Sequence, residues 1–245
     1  MFTEFPGNPL LQSPDLSRLR DLSIAYNFLL IVDDTLSGYP NVNVLPSCDF
    51  ICTSLTKLFS GKSNVMGGSI VVSPASRFFS HLHTALTAGH DIGTWFPDDI
   101  LTMEQNSLDF DERAHKASGN AEKVVALLRT HPDVEEVYYP KGSPTQEIYA
   151  RFRRPEGGWG HLLSVRFKDA KKAVVFHDML DVAKGPSLGT DFTLASPYAI
   201  LAHYGDMEWA EGYGVVEHLM RISVGLEEEK WLLGRVERAL KALEG

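Results

Sequence analysis

Three short apolar runs constrain the fold of this chain more than any other feature. They are FLLIV at 28–32, FICT at 50–53 and SIVV at 69–72. Each has strand length, and each is continuous rather than alternating. A strand that is apolar on both sides belongs in a sheet covered on both faces, and such sheets are mostly parallel and flanked by helices. Helical spacing surrounds the runs. Ser13-Pro14-Asp15 reads as a helix start, with serine as the cap, and Leu16 and Leu19 follow at helical intervals. A helix is expected to open at 82–87, and a long one at 113–131 that stops at His131-Pro132. The pattern predicts an α/β fold in the first half. In the second half, strands at 134–139, 162–167 and 221–225 alternate with a short helix in the 141–160 loop, a helix at 170–180 and a final helix at 227–243. That half reads as a small α+β domain. The boundary is expected between 115 and 140, and is placed at 125/126.

Composition narrows the functional class. The 245 residues carry a net charge of -9, which argues against nucleic acid as a partner, because phosphate binding needs a basic surface. No apolar run is long enough for a membrane span, and MFTEFPGNPL lacks the basic start and apolar core of a signal peptide. Cys48 and Cys52 have no second pair to complete a zinc site. They read as buried free thiols, which fits a reducing, cytoplasmic setting. His81, His83 and His90 are assigned to a helix face rather than a metal site.

Two chemical features stand where α/β sheets place their ligands, at the carboxyl ends of strands. Asp33 follows FLLIV. Ser54-Leu55-Thr56-Lys57 follows FICT and leads into Ser60-Gly61-Lys62-Ser63 and Gly67-Gly68. One account is a buried Asp33–Lys57 ion pair. The other is a pyridoxal 5'-phosphate (PLP) site. PLP needs a lysine for its aldehyde, a carboxylate for its pyridine nitrogen, and hydroxyls and N–H groups for its phosphate. Spacing alone leaves both open.

The longer words VDDT at 32–35, SLTKLFSGKSNVMGG at 54–68 and RISVGLE at 221–227 resemble, in this order, the Cys/Met-metabolism (trans-sulfuration) family of PLP-dependent enzymes. EFPGNPLL at 4–11, HPDVEEVYYP at 131–140, GGWGHLLSVRF at 157–167 and SLGTDFTLASP at 187–197 extend the resemblance over essentially the whole chain. VNVLPSCDFICTSLTKLFSGKSNVMGGS and ASPYAILAHYGDMEWA look most like the fungal cystathionine γ-synthase branch.

The resemblance implies the C-terminal part of a fold type I PLP-dependent transferase. Residues 1–125 would be part of the large PLP-binding domain with a linker helix, and 126–245 the small domain. It implies that Lys57 bonds the cofactor and moves protons. Asp33 would meet the pyridine nitrogen, Ser54 and Thr56 the phosphate, and Asn8 the ring's 3-oxygen. Arg221 would clamp the substrate α-carboxylate, with Ser187 beside it. The implied reaction is γ-replacement of an O-acylhomoserine, O-succinyl or O-acetyl, with cysteine to give cystathionine, in a homodimer or homotetramer. An O-acylhomoserine sulfhydrylase and a cystathionine lyase are the family alternatives. Lys62 is set aside as the bonding lysine because it lacks the S-x-T context.

Some positions depart from the family pattern. Asp34 stands where asparagine is usual, Lys62 and Asn64 where histidine and aspartate are usual, and Thr190 and Asp191 alter the SLGG word. These changes touch the substrate-side walls. Family members are also longer on the N-terminal side. The expectation is a truncated chain without the glycine-containing phosphate loop, the aromatic that stacks on the ring, or the tyrosine and arginine that reach across the dimer. A non-catalytic subunit is the reading of another class.

Overall fold

The structure, a computed structural model, describes residues 1–90 and 92–244. Its first sheet has the order β1 (Phe2–Glu4), β2 (Ile31–Asp33), β3 (Phe50–Ser54) and β4 (Gly68–Val72). The first three run parallel, and β4 returns antiparallel to β3. The three apolar runs become β2, β3 and β4. β1 has no apolar run of its own, and is a strand because Phe2 to Glu4 pair in register with Ile31 to Asp33.

Between β1 and β2 lies α1 (Leu16–Ala25). Its cap is Asp15 rather than Ser13: the Asp15 carboxylate accepts the Arg18 backbone N–H at 3.1 Å. Among the described residues the buried Ser13 hydroxyl makes no hydrogen bond, while its backbone N–H donates to Thr145 Oγ1 at 2.9 Å. Leu16, Val42, Val44, Cys48 and Tyr149 pack with Leu30, Val32 and Ile51 to cover one face of the sheet. Among the described residues β4 is an edge strand paired only with β3. Its neighbours Ile70 and Val71 point to opposite faces and are 49% and 43% exposed. Cys48 is a buried free thiol, as expected, whereas Cys52 is only half-buried.

Helices α2 (Phe79–Gly89), α3 (Pro97–Ser107) and α4 (Phe110–Leu128) follow. α2 carries His81 and His83, and His90 caps its C-terminus. α3 was not anticipated, although Pro97 and the acids Asp98 and Asp99 in its first turn are ordinary start signals. α4 begins earlier than the spacing predicts, with Phe110 buried, and ends before His131. The boundary expected at 125/126 falls inside α4.

The remaining elements are β5 (Val134–Tyr138), α5 (Gln146–Phe152), β6 (Leu162–Phe167), α6 (Ala170–Met179), β7 (Ala183–Lys184), β8 (Leu194–Pro197), α7 (Tyr198–His203), α8 (Met207–Glu211), β9 (Met220–Ser223) and α9 (Glu229–Lys241). The five strands form a second sheet, ordered β5-β6-β9-β8-β7, antiparallel except between β7 and β8. α4, α6 and α9 bury Val124, Leu128, Phe176, Val236 and Leu240 against Leu163, Val165, Phe167 and Ile222. Strand alternation sends the intervening residues to the opposite face. There Ser164, Arg221 and Ser196 stand side by side across three strands. This polar row meets the first part of the chain, and Ser164 Oγ donates to the Pro9 carbonyl at 2.8 Å.

The acidic run at 227–229 is only partly helical. Glu228 caps α9 by accepting the Trp231 N–H at 2.9 Å. Glu227 instead accepts from the backbone N–H and hydroxyl of Thr193. Among the described residues no helix is long and apolar enough to cross a membrane.

Candidate active site

Lys57 leaves the end of β3 on a π-helical turn, Leu55–Phe59, whose helical conformation breaks at Lys57 itself (φ -86°, ψ -130°). Its half-buried Nζ donates to Ser187 Oγ at 3.1 Å. Burial, and then the positive charge of Arg221, lower the Lys57 pKa from its ordinary value. An amine held this way gives up its proton more readily, as a nucleophile or proton carrier must. Ser187 can come this close because Gly189 follows it. Gly189 has φ 71°, and a Cβ there would lie 2.4 Å from the Leu58 backbone nitrogen. The loop thus lies flat on the turn that carries the lysine.

The turn is held from behind by Arg113 of α4, which is 3% exposed. Arg113 donates to the carbonyls of Leu58 (2.7 Å), Phe59 (2.7 Å) and Asn106 (2.8 Å). It also donates to the carboxylates of Asp109 (2.7 Å) and Asp191 (3.4 Å). The first two carbonyls directly follow Lys57. Asp191 carries the tie onward: its N–H donates to the Gly61 carbonyl at 2.9 Å, and its other carboxylate oxygen takes the Lys62 ammonium. Two departures from the family pattern, Lys62 and Asp191, therefore complement each other. Sequence reasoning missed Arg113, which reads as one more cation on an amphipathic helix.

Asp33 ends β2 beside Cys52 of β3, and its Oδ1 accepts the Thr35 N–H at 2.9 Å. Among the described residues Asp33 and Lys57 form no ion pair with each other, so the ion-pair account of these two residues fails. Ser54 precedes the turn and Thr56 lies within it. The Thr56 hydroxyl is engaged with the Gly67 N–H (3.0 Å) and carbonyl (3.3 Å), while the Ser54 backbone N–H donates to Thr35 Oγ1 at 2.8 Å.

Asp34, next to Asp33, is 2% exposed. Burial pushes its pKa up to about 6, against the hydrogen bond from the Thr53 hydroxyl and with help from the charge of Asp33. The folded chain therefore binds a proton that the unfolded chain releases near the ordinary aspartate value. The associated stability is fully present below about pH 4 and is lost as pH rises through about 6. Asp34→Asn keeps the acceptor for Thr53 and removes the charge. We expect it to raise the unfolding free energy by about 2 kcal/mol at pH 7.5 and to change nothing at pH 4. Urea titrations at the two pH values check this, and an equal effect at both would contradict it.

Arg221 projects from β9 and is 5% exposed. Its guanidinium donates to Asn8 Oδ1 (3.3 Å), to the Ser187 carbonyl (3.2 Å) and to the Pro186 carbonyl. Among the described residues it pairs with no carboxylate, and burial lowers its pKa. A buried guanidinium without a counter-charge is suited to an anionic ligand, above all a carboxylate. Lys57, Ser187, Arg221 and Asn8 are thus joined in one chain of contacts drawn from both halves of the sequence.

These residues suit the PLP chemistry that the spacing left open. The amine is half-buried with a lowered pKa, a strand-end carboxylate lies on the neighbouring strand, and among the described residues the buried arginine pairs with no carboxylate. A family model described as Cys/Met metabolism PLP-dependent enzyme matches residues 1–241. Cystathionine gamma-synthase of Neurospora crassa is 48% identical over 244 residues, covering 100% of this chain and 39% of that protein. Its Saccharomyces cerevisiae namesake is 40% identical over 253 residues, with the same two coverages. Cystathionine gamma synthase from Xanthomonas oryzae pv. oryzae, solved with aminoacrylate and cysteine, matches with a TM-score of 0.87 at 27% identity, covering 99% of this chain and 63% of that one. The chain spans about two-fifths of the length of the fungal relatives. From its match over nearly every residue, this chain belongs to the Cys/Met-metabolism family of PLP-dependent enzymes.

Proposed function

We propose that this chain supplies the cofactor and substrate residues of a cystathionine γ-synthase-like enzyme. The reaction is γ-replacement: the acyl group of O-succinyl- or O-acetylhomoserine leaves, cysteine sulfur adds, and cystathionine forms. The contact that carries the reading is Lys57 Nζ on Ser187 Oγ, with the Ser187 carbonyl in turn held by Arg221. It sets a proton-carrying amine beside a group that reads a carboxylate, which is the arrangement an α-amino acid requires.

Bound PLP supplies an electron sink for the charge that develops when the substrate loses its α proton. In this reading Lys57 would hold the cofactor by its aldehyde, and its amine would carry protons to and from the substrate's α and β carbons, giving up each before it takes the next. Its lowered pKa makes the neutral amine more accessible. Asp33 would meet the pyridine nitrogen and hold its proton. Ser54 and Thr56 line the phosphate position, where the Thr56 hydroxyl has its Gly67 contacts to exchange. Asn8 would lie near the ring's 3-oxygen. Arg221 binds the α-carboxylate, and Ser187 orients it.

We further read 1–125 as part of the large domain and 126–245 as the small one, joined through α4. We place the protein in the cytoplasm as a homodimer or homotetramer.

The assay that tests the reaction offers O-acylhomoserine with cysteine, O-acylhomoserine with sulfide, and cystathionine alone. Cystathionine formation is expected from the first mixture, faster than homocysteine from the second. Consumption of cystathionine alone, with no product from either mixture, would replace the synthase by a lyase.

A further inference from the structure

Arg221 must be presented edge-on to a ligand, yet three neutral oxygens already compete for it. What keeps it in place lies on the next strand. β8 sets Ser196 opposite Arg221, and the chain turns at Pro197 into α7, whose first residue is Tyr198. The Tyr198 N–H donates to the Leu219 carbonyl at 3.0 Å, which fixes the turn against β9. The half-buried ring then lies over the guanidinium, with Arg221 Cζ 4.8 Å from its centroid. Its outer edge is braced by His203, at 5.9 Å between centroids in a T-shaped contact, and His203 by Trp209 at 6.3 Å.

The hydroxyl has a second role. Tyr198 Oη accepts from Asn8 Nδ2 at 3.2 Å, while Asn8 Oδ1 accepts from Arg221 at 3.3 Å. These two contacts select one orientation of the Asn8 amide. The flipped amide would set its NH2 against the guanidinium, donor to donor.

We propose that Tyr198 is a positioning residue that holds Arg221 by its ring and, through its hydroxyl, fixes the Asn8 amide oxygen on the same guanidinium, so that Arg221 faces the substrate α-carboxylate. The proposal rests on the reading of Arg221 as the carboxylate clamp. Tyr198 touches no reacting atom, so it acts on carboxylate recognition and not on the proton transfers of Lys57.

The test uses the PLP-loaded protein and two probes, followed by the change in visible absorbance on binding. L-norleucine carries an α-carboxylate, and pentylamine is the same amine without it. Tyr198→Phe should weaken norleucine about fivefold and leave pentylamine unchanged, since the ring stays and only the hydroxyl is lost. Tyr198→Leu, which also removes the ring, should weaken norleucine more than about tenfold, again selectively. Arg221→Lys is the control for the underlying reading and should remove most of the preference for norleucine. If Arg221→Lys removes that preference while the two Tyr198 variants weaken both probes equally or neither, Tyr198 is merely structural and the proposal falls. If Arg221→Lys leaves the preference intact, the clamp reading itself fails, and the proposal with it.

Discussion

Lys57→Ala should lower the turnover of O-acylhomoserine and cysteine by about ten-thousand-fold, at the upper end of what a positioned proton carrier contributes. The size follows from two losses at one atom. Under the proposed function, the Nζ that would bond the cofactor is gone, and so is the amine that would move the α and β protons. Lys62, only five residues on, cannot substitute. Its ammonium is held by Asp191, and it lies on the exposed side of the loop. Lys57→Arg keeps the charge but has no amine that deprotonates, and should be as inactive. Initial rates at saturating PLP check both variants, with folding confirmed by circular dichroism. Activity within about tenfold of the parent in Lys57→Ala would contradict the assignment.

The second large effect is on stability and falls on a residue without any predicted role. Arg113→Met should cost about 3–5 kcal/mol of unfolding free energy. The buried guanidinium has five N–H donors, and all five are used: two on Asp109 and Asp191, three on the carbonyls of Leu58, Phe59 and Asn106. Methionine fills much of the volume but leaves the three carbonyls without their donor and Asp191 with Lys62 alone. Lysine at this position can satisfy only part of the set and should recover less than half of the loss. Urea unfolding of the cofactor-free protein measures it. A loss below about 1 kcal/mol would show that water replaces the guanidinium at no cost. The geometry predicts a further consequence: because Leu58 and Phe59 directly follow Lys57, the substitution also loosens the lysine's turn.

Arg113 illustrates why part of the site was hidden in the sequence. Lys57 and Asp33 could be singled out as candidates because Asp33 ends one apolar run and Lys57 lies just past another, and the end of a sheet strand is a place where polar groups need a reason. The ordered words around them named the family, which the match over residues 1–241 bears out. Arg113 and Tyr198 had no such frame. Both act through backbone carbonyls or through another side chain, and such partners are set by packing between distant segments, not by local pattern. The fold divides in the same way. β2, β3 and β4 announced themselves by composition. β1, β7 and β8 are short and take their strand character from the neighbours they pair with. The reading of Ser13 as a cap failed because Asp15, two residues later, offers a carboxylate at the point where the first helical N–H groups are free. Glu227, the first residue of the expected final helix, lies before it and accepts from Thr193 in the loop after Asp191.

The account turns on which amine bonds the cofactor. The direct measurement is borohydride reduction of the protein with bound PLP, followed by digestion and mass spectrometry of the labelled peptides. The account predicts a single pyridoxyl group, on Lys57. A label on Lys62, or one spread over the lysines in proportion to their exposure, would contradict it.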